Sequence, residues 1–138
     1  MITRLHVVIT CTRHELMPFI IRHYLTEMDP HPFELRLHLM VQGPEPDPLG
    51  VRKCNEAMDM IPDGWMFLFA DDTLQFPGLF KRLGDIIEEN PNAGCVMFAE
   101  HRGNEVFIAA EERSQAGFIC GGQMALKREF VGTLRFDT

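Results

Sequence analysis

The chain alternates short apolar runs with longer stretches whose apolar residues recur every three or four positions. Residues 5–10, Leu5-His6-Val7-Val8-Ile9-Thr10, form a β-branched run that predicts a first strand. Residues 15–28 carry Leu16, Phe19, Ile20, His23 and Tyr24 at helical spacing. Thr12 or His14 could begin that helix, with Glu15 in its first turn. Pro30 and Pro32 stop it. Over 33–41 the period changes to two, with Phe33, Leu35, Leu37, Leu39 and Val41 set between Glu34, Arg36 and His38. That alternation predicts a strand with one polar face, near a sheet edge. A loop holding Pro44, Pro46 and Pro48 leads to a predicted helix over 49–60, apolar at Val51, Cys54, Ala57, Met58 and Ile61. Pro62-Asp63-Gly64 then turns the chain into Trp65-Met66-Phe67-Leu68-Phe69. So short and so apolar a run reads as a strand buried on both faces.

Asp71 and Asp72 close that strand. A helix is predicted over 77–89, with Pro77 at its first position and Leu79, Phe80, Leu83, Ile86 and Ile87 inward. Residues 95–99 make another buried run, and the turn His101-Arg102-Gly103-Asn104 joins it to 106–110 as an expected β-hairpin. A polar loop covers 111–115, a strand-like segment 117–126 contains Gly121 and Gly122, and 127–132 fits a short helix. The order β-α-β-α-β-α followed by a strand-rich half predicts one α/β domain over residues 1–138. Its expected form is three-layered, with a mostly parallel central sheet and right-handed crossovers.

In such sheets a ligand crevice lies outside the carboxyl ends of the strands, which puts Asp71 and Asp72 at its rim. Two hard oxygen donors there suit a divalent metal carrying phosphates. The alternative for the pair is a turn and a helix cap. Composition narrows the partners. The chain has 138 residues, 46% of them hydrophobic, with a net charge of −7 and no Lys/Arg run. A packed core is expected, while nucleic acid and anionic membranes are poor partners. No stretch reaches the length of a membrane span. Met1 leads directly into the first apolar run, so no signal peptide is expected. Cys11, Cys54, Cys95 and Cys120 are widely spaced, which predicts reduced, mostly buried thiols in a cytoplasmic protein. Cys11 beside Arg13 could instead be an activated thiol. The six histidines form no H-E-x-x-H pattern. No G-x-G-x-x-G follows the first strand, and no P-loop signature occurs.

Several segments, in order, carry a family resemblance. Val7-Val8-Ile9-Thr10-Cys11-Thr12-Arg13 is similar to a first strand with a Thr/Arg exit loop. Asn55, within 51–57, matches an R-N-x-G/A helix. Phe67-Leu68-Phe69-Ala70-Asp71-Asp72-Thr73, followed by Pro77 and Leu79, resembles an F-L-D/N-D-D-x…P…L metal motif. Gly121-Gly122-Gln123-Met124-Ala125-Leu126-Lys127-Arg128-Glu129 resembles G-G-x-M-x-x-R-R-E, and Phe136-Asp137 sits where G-x-F-D-E is expected. Together these resemble the GT-A fold nucleotide-sugar glycosyltransferases, most closely the inverting family-2 type. The resemblance implies transfer of a sugar from a nucleotide-diphosphate donor, most often a UDP-sugar, to an acceptor hydroxyl. It implies Mn²⁺ or Mg²⁺ held by Asp72 with Asp71, and donor contacts from Thr12, Arg13, Gln42, Lys53, Asn55 and Asp71. Gly121, Gly122 and Gln123 would face the acceptor. Residues 1–73 would form the nucleotide-binding half and 74–138 the acceptor-side half.

The departures are specific. Ala70 stands where a D-x-D has its first carboxylate, and Val41-Gln42-Gly43 replaces the expected base-orienting Asp, with Asp47 farther along the loop. The resemblance places an acidic catalytic base beyond Asp137; before it, Glu100, Glu111 and Glu112 are the nearby acidic residues. Two alternatives therefore stand beside the transferase. One is a non-catalytic domain that binds a nucleotide or nucleotide-sugar, or acts in an assembly such as a homo-oligomer. The other is a nucleotidyltransferase on a similar sheet.

Overall fold

The computed structural model describes residues 3–47, 50–107 and 124–137. The first strand, β1 (Arg4–Cys11), is buried from Leu5 to its end, because it lies inside the sheet with a parallel neighbour on each side. On one side is β2 (Glu34–Val41), and on the other β3 (Trp65–Ala70). The sheet continues through β7 (Met124–Lys127), antiparallel to β3, to β4 (Cys95–Met97), giving the order β2-β1-β3-β7-β4. The protein is thus a mixed α/β fold on a sheet that has five strands among the described residues, and strands from both halves of the chain share that sheet. As the alternation predicts, β2 is the edge strand and stays half-exposed.

Successive side chains of a strand point to opposite faces, and two apolar clusters result. Leu5, Val7, Ile9 and Cys11 of β1 join Trp65, Phe67 and Phe69 of β3 on one face. Against them pack Ile20 of α1 (Met17–Arg22), Tyr24 just after it, and Phe80 and Leu83 of α3 (Leu79–Glu89). Val8, Met66 and Leu68 form the other face with Cys54, Ala57 and Met58 of α2 (Val51–Met60), and with Val131 of α4 (Arg128–Val131). No helix among the described residues is long and apolar enough to cross a membrane.

Three local expectations change. The helix expected over 15–28 is composite: a 3-10 turn at His14–Leu16, then α1, then a π turn at His23–Glu27. Neither Thr12 nor His14 caps it through a side chain, and Phe19 is exposed while Ile20 and Tyr24 turn inward. Pro77 lies ahead of α3 rather than at its first position, because Gly78 takes a left-handed φ of 80° and the helix begins after it. The hairpin forms around the predicted turn, but its arms are β5 (Glu100–Arg102) and β6 (Glu105–Phe107). Residues 95–97 pair with β7 instead, which lets Val96 enter the main core opposite Ala125. The calls at 108–123, including Gly121, Gly122, Gln123, Glu111, Glu112 and Cys120, lie outside the described residues.

Candidate functional site

The chain runs from β1 out to β2 at the sheet edge, then returns to the other side of β1 as β3. This reversal makes the carboxyl ends of β1 and β3 a topological switch point, where open α/β sheets place their ligands. The register opposes Thr10 to Ala70, so the exit loops Thr12-Arg13 and Asp71-Asp72 leave side by side. Thr10 also donates its hydroxyl to the Phe69 carbonyl at 3.4 Å. The amino end of α2 closes in on the same strand end. At Gly50, φ is +66°, and a Cβ there would stand 2.7 Å from the Thr10 side chain, so no larger residue fits.

The two carboxylates behave differently. The Asp71 side chain is 2% exposed. Its Oδ2 accepts the Thr12 N–H at 2.9 Å, the Arg13 N–H at 2.7 Å and the Thr12 hydroxyl at 3.4 Å. Its Oδ1 accepts Arg13 Nη1 at 2.5 Å. Burial pushes the Asp71 carboxyl up, but the Arg13 and Thr12 amides together with the Arg13 guanidinium outweigh it, so its pKa lies below the ordinary value. Asp71 is therefore the staple between the two loops, and it does not cap α3, whose amino end has no side-chain cap. Asp72 is 59% exposed, with Arg13 Nη1 at 3.7 Å from its Oδ2 and the Thr73 hydroxyl at 3.4 Å from its Oδ1. Arg13, itself 48% exposed, lies between the pair.

The remaining expected donor residues separate into two places. Gln42 continues the ladder by donating its N–H to the Cys11 carbonyl at 2.9 Å. It lines a cleft of about 280 Å³ with Asp47, Arg52, Lys53 and Glu56, at the carboxyl end of β2. Lys53 Nζ is paired with Glu56 at 3.0 Å. Asp47, weighed above as a base-orienting residue, instead takes the first amides of α2, accepting from Arg52 at 3.0 Å and Lys53 at 3.2 Å. That is the work of a helix cap. Asn55 does not join this cleft. Two positions along a helix point to different sides, and Asn55 instead holds Phe136, donating to its carbonyl and accepting its N–H, both at 2.9 Å. Asn55, expected among the donor contacts, is thus engaged as a backbone clamp on Phe136.

A second groove, about 430 Å³, opens beside Asp72 and is lined by Phe69, Thr73, Phe76, Phe98 and His101 among others. Phe76 meets the His101 ring edge-on at 4.9 Å. The loop that carries Asp72 and Phe76 is tied down by the Tyr24 hydroxyl, which donates to Gln75 Oε1. Nothing in the sequence pattern marks this tether, since Tyr24 reads as an ordinary core position of its helix. A larger cavity of about 610 Å³, near Thr3, His31, Phe33 and Lys81, sits at the opposite end of the strands from Asp71. Burial and then the Asp71 charge raise the Cys11 pKa, the direction opposite to activation. Burial likewise lifts Cys54 to about 11.

Among the described residues, no group of three or more His, Cys, Asp or Glu side chains could hold a metal ion. With Asp71 engaged by the Thr12-Arg13 loop, Asp72 is the carboxylate that this strand end leaves open among the described residues. That donor set suits Mg²⁺ or Mn²⁺ only where phosphate oxygens complete the shell. Comparison with protein-family models, with curated proteins and with solved structures gave no match.

Proposed function

We propose that the protein is a GT-A-like, three-layer α/β/α domain that binds a nucleotide-diphosphate sugar, and that it transfers the sugar to an acceptor hydroxyl. The observation that carries this reading is the juxtaposition at the strand-order reversal, where a buried Asp71 holds the Thr12-Arg13 loop and leaves Asp72 and the Arg13 guanidinium exposed together. An exposed carboxylate beside a guanidinium suits a diphosphate accompanied by Mn²⁺ or Mg²⁺. Asp72 would hold the ion, whose charge would stabilise the departing nucleotide. Arg13 would meet the phosphates, and the Gln42–Lys53 cleft at the end of β2 would receive the nucleoside. The groove containing Phe76 and His101 would take the acceptor, next to the same carboxylate.

The non-catalytic reading is favoured by one observation, the use of Asp71 as a structural staple. A single open carboxylate supports donor binding more directly than it supports transfer. Calorimetric titration with UDP-sugars, with and without Mn²⁺, separates the possibilities. The transferase predicts cation-dependent binding that Asp72→Ala abolishes, together with release of UDP in the presence of an acceptor. Binding without turnover identifies the non-catalytic domain. Absence of binding to every nucleotide tested eliminates both.

A further inference from the structure

We propose that His23 and Gln75 hold an ordered water behind the loop that follows β3, and that His23 thereby positions the groove beside Asp72. The cavity concerned is small, about 80 Å³, and is lined by His23, Met28, Asp29, Gln75, Phe76 and Phe80 among others. Two buried nitrogens that belong to its walls, His23 Nε2 and Gln75 Nε2, have no protein partner. Gln75 Oε1 is already taken by the Tyr24 hydroxyl, so its amide leaves Nε2 as the donor still to be met. A buried amide N–H without a partner is costly, and a polar cavity of this size has room for a water that satisfies it. That water accepts from Gln75 and donates to His23 Nε2, whose own proton then sits on Nδ1.

The local backbone favours the bridge. His23 and Tyr24 both belong to the π turn at His23–Glu27, a wide turn of the kind that recurs at functional positions. The His23 ring stands edge-on to Tyr24, with centroids 5.1 Å apart, and stacks on Phe19 at 6.5 Å. One direct bond and one water bridge from the same turn therefore converge on Gln75. Gln75 and Phe76 are also walls of the groove of about 430 Å³, where Phe76 meets His101. His23 does not line that groove, so it acts through Gln75 as a positioning residue. The water site stands whatever the groove binds, while its bearing on transfer rests on the acceptor reading given above.

The test is NMR of the full chain, reading Overhauser contacts from the Gln75 side-chain amide to long-lived water, together with the ring resonances of His101. The parent chain should show the water contact. His23→Phe should lose it and shift the His101 resonances toward their positions in Phe76→Ala. His23→Gln should retain both, because its amide reaches the place of Nε2, whereas the shorter side chain of His23→Asn should not. If His23→Phe does not fold, the contrast between His23→Gln and His23→Asn makes the same comparison. No water contact in the parent overturns the proposal. So do unmoved His101 resonances in His23→Phe, or a His23→Gln protein that behaves as His23→Asn does. Turnover of UDP-sugars is followed separately, and its absence ends the transferase reading while the spectra still decide the role of His23.

Discussion

The two ends of the central strands treat charge in opposite ways. At the amino end, charged side chains pair with one another, although the buried His6 Nε2 has no hydrogen-bond partner. Arg4 bridges Glu34 at 3.2 Å and Asp63 at 3.1 Å, Arg36 also reaches Glu34, and His6 Nδ1 lies 2.9 Å from His38 Nε2. At the carboxyl end, one carboxylate is locked and its neighbour is left facing solvent with a half-exposed arginine. Pairing at the first end fastens the edge strand to the middle of the sheet. Incomplete pairing at the second leaves charge available to a ligand. The comparison also separates Asp71 from Asp72, which are adjacent in sequence and unlike in role.

Substitution at that pair should break the comparison most visibly. Asp71→Ala removes the acceptor of two loop amides and a guanidinium from a buried position. Leaving buried donors of that kind unpartnered should cost roughly 3 kcal/mol of stability or more. Asp72→Asn changes an exposed group and should stay within about 0.5 kcal/mol. Urea unfolding of the two variants measures the difference. Comparable midpoints would mean that Asp71 is no staple.

A smaller effect is expected at the other end, on acidification. Burial and then the neighbouring His38 charge lower the His6 pKa, and burial lowers that of His38. The folded pair therefore resists protons that the unfolded chain accepts, so unfolding takes up protons. Stability is complete above the unfolded histidine value of about 6.5 and is lost as pH falls through the lower folded values. Thermal midpoints between pH 7.5 and 5 should decline, and His38→Gln should flatten the decline. An unchanged slope in that variant would remove the pair from the account.

Most of the sheet was legible in the sequence, because burial imposes its own period. Val7 to Ile9 and Trp65 to Phe69 are buried on both faces and so read as unbroken apolar runs, whereas β2 alternates because it is the edge. The reversal of strand order is not written in any local pattern, yet it brings Thr12 and Arg13 to Asp71. The sequence marked Asp71, Asp72, Thr12 and Arg13 as site residues and put Asp72 first as the metal ligand, but it did not show that Asp71 is the staple between the loops. The difference between the two carboxylates arises from amides of a loop 58 and 59 positions away. The clamp made by Asn55 was hidden for a similar reason, since its partner Phe136 lies 81 positions on. Side-chain bonds to distant backbone leave no periodic trace. The hairpin erred by pairing neighbours in sequence, where β4 found its partner in β7.

Asn55 also offers the mildest test of how far the site extends along α2. Its two hydrogen bonds to Phe136 are joined by Arg135, which reaches Asp59 one turn farther along the same helix at 2.6 Å. The clamp is exposed, so Asn55→Ala should cost only about 1 kcal/mol. If Asn55 serves the chain rather than a ligand, that loss should come with UDP affinity unchanged to within about twofold, a shift of roughly 0.4 kcal/mol. Lys53→Ala, altering the cleft that Gln42 shares, should do the reverse, weakening UDP several-fold with little change in stability. Paired calorimetry and unfolding of the two variants assign each residue to one side. A loss of nucleotide affinity in Asn55→Ala would return that residue to the donor site and extend the binding surface toward residue 136.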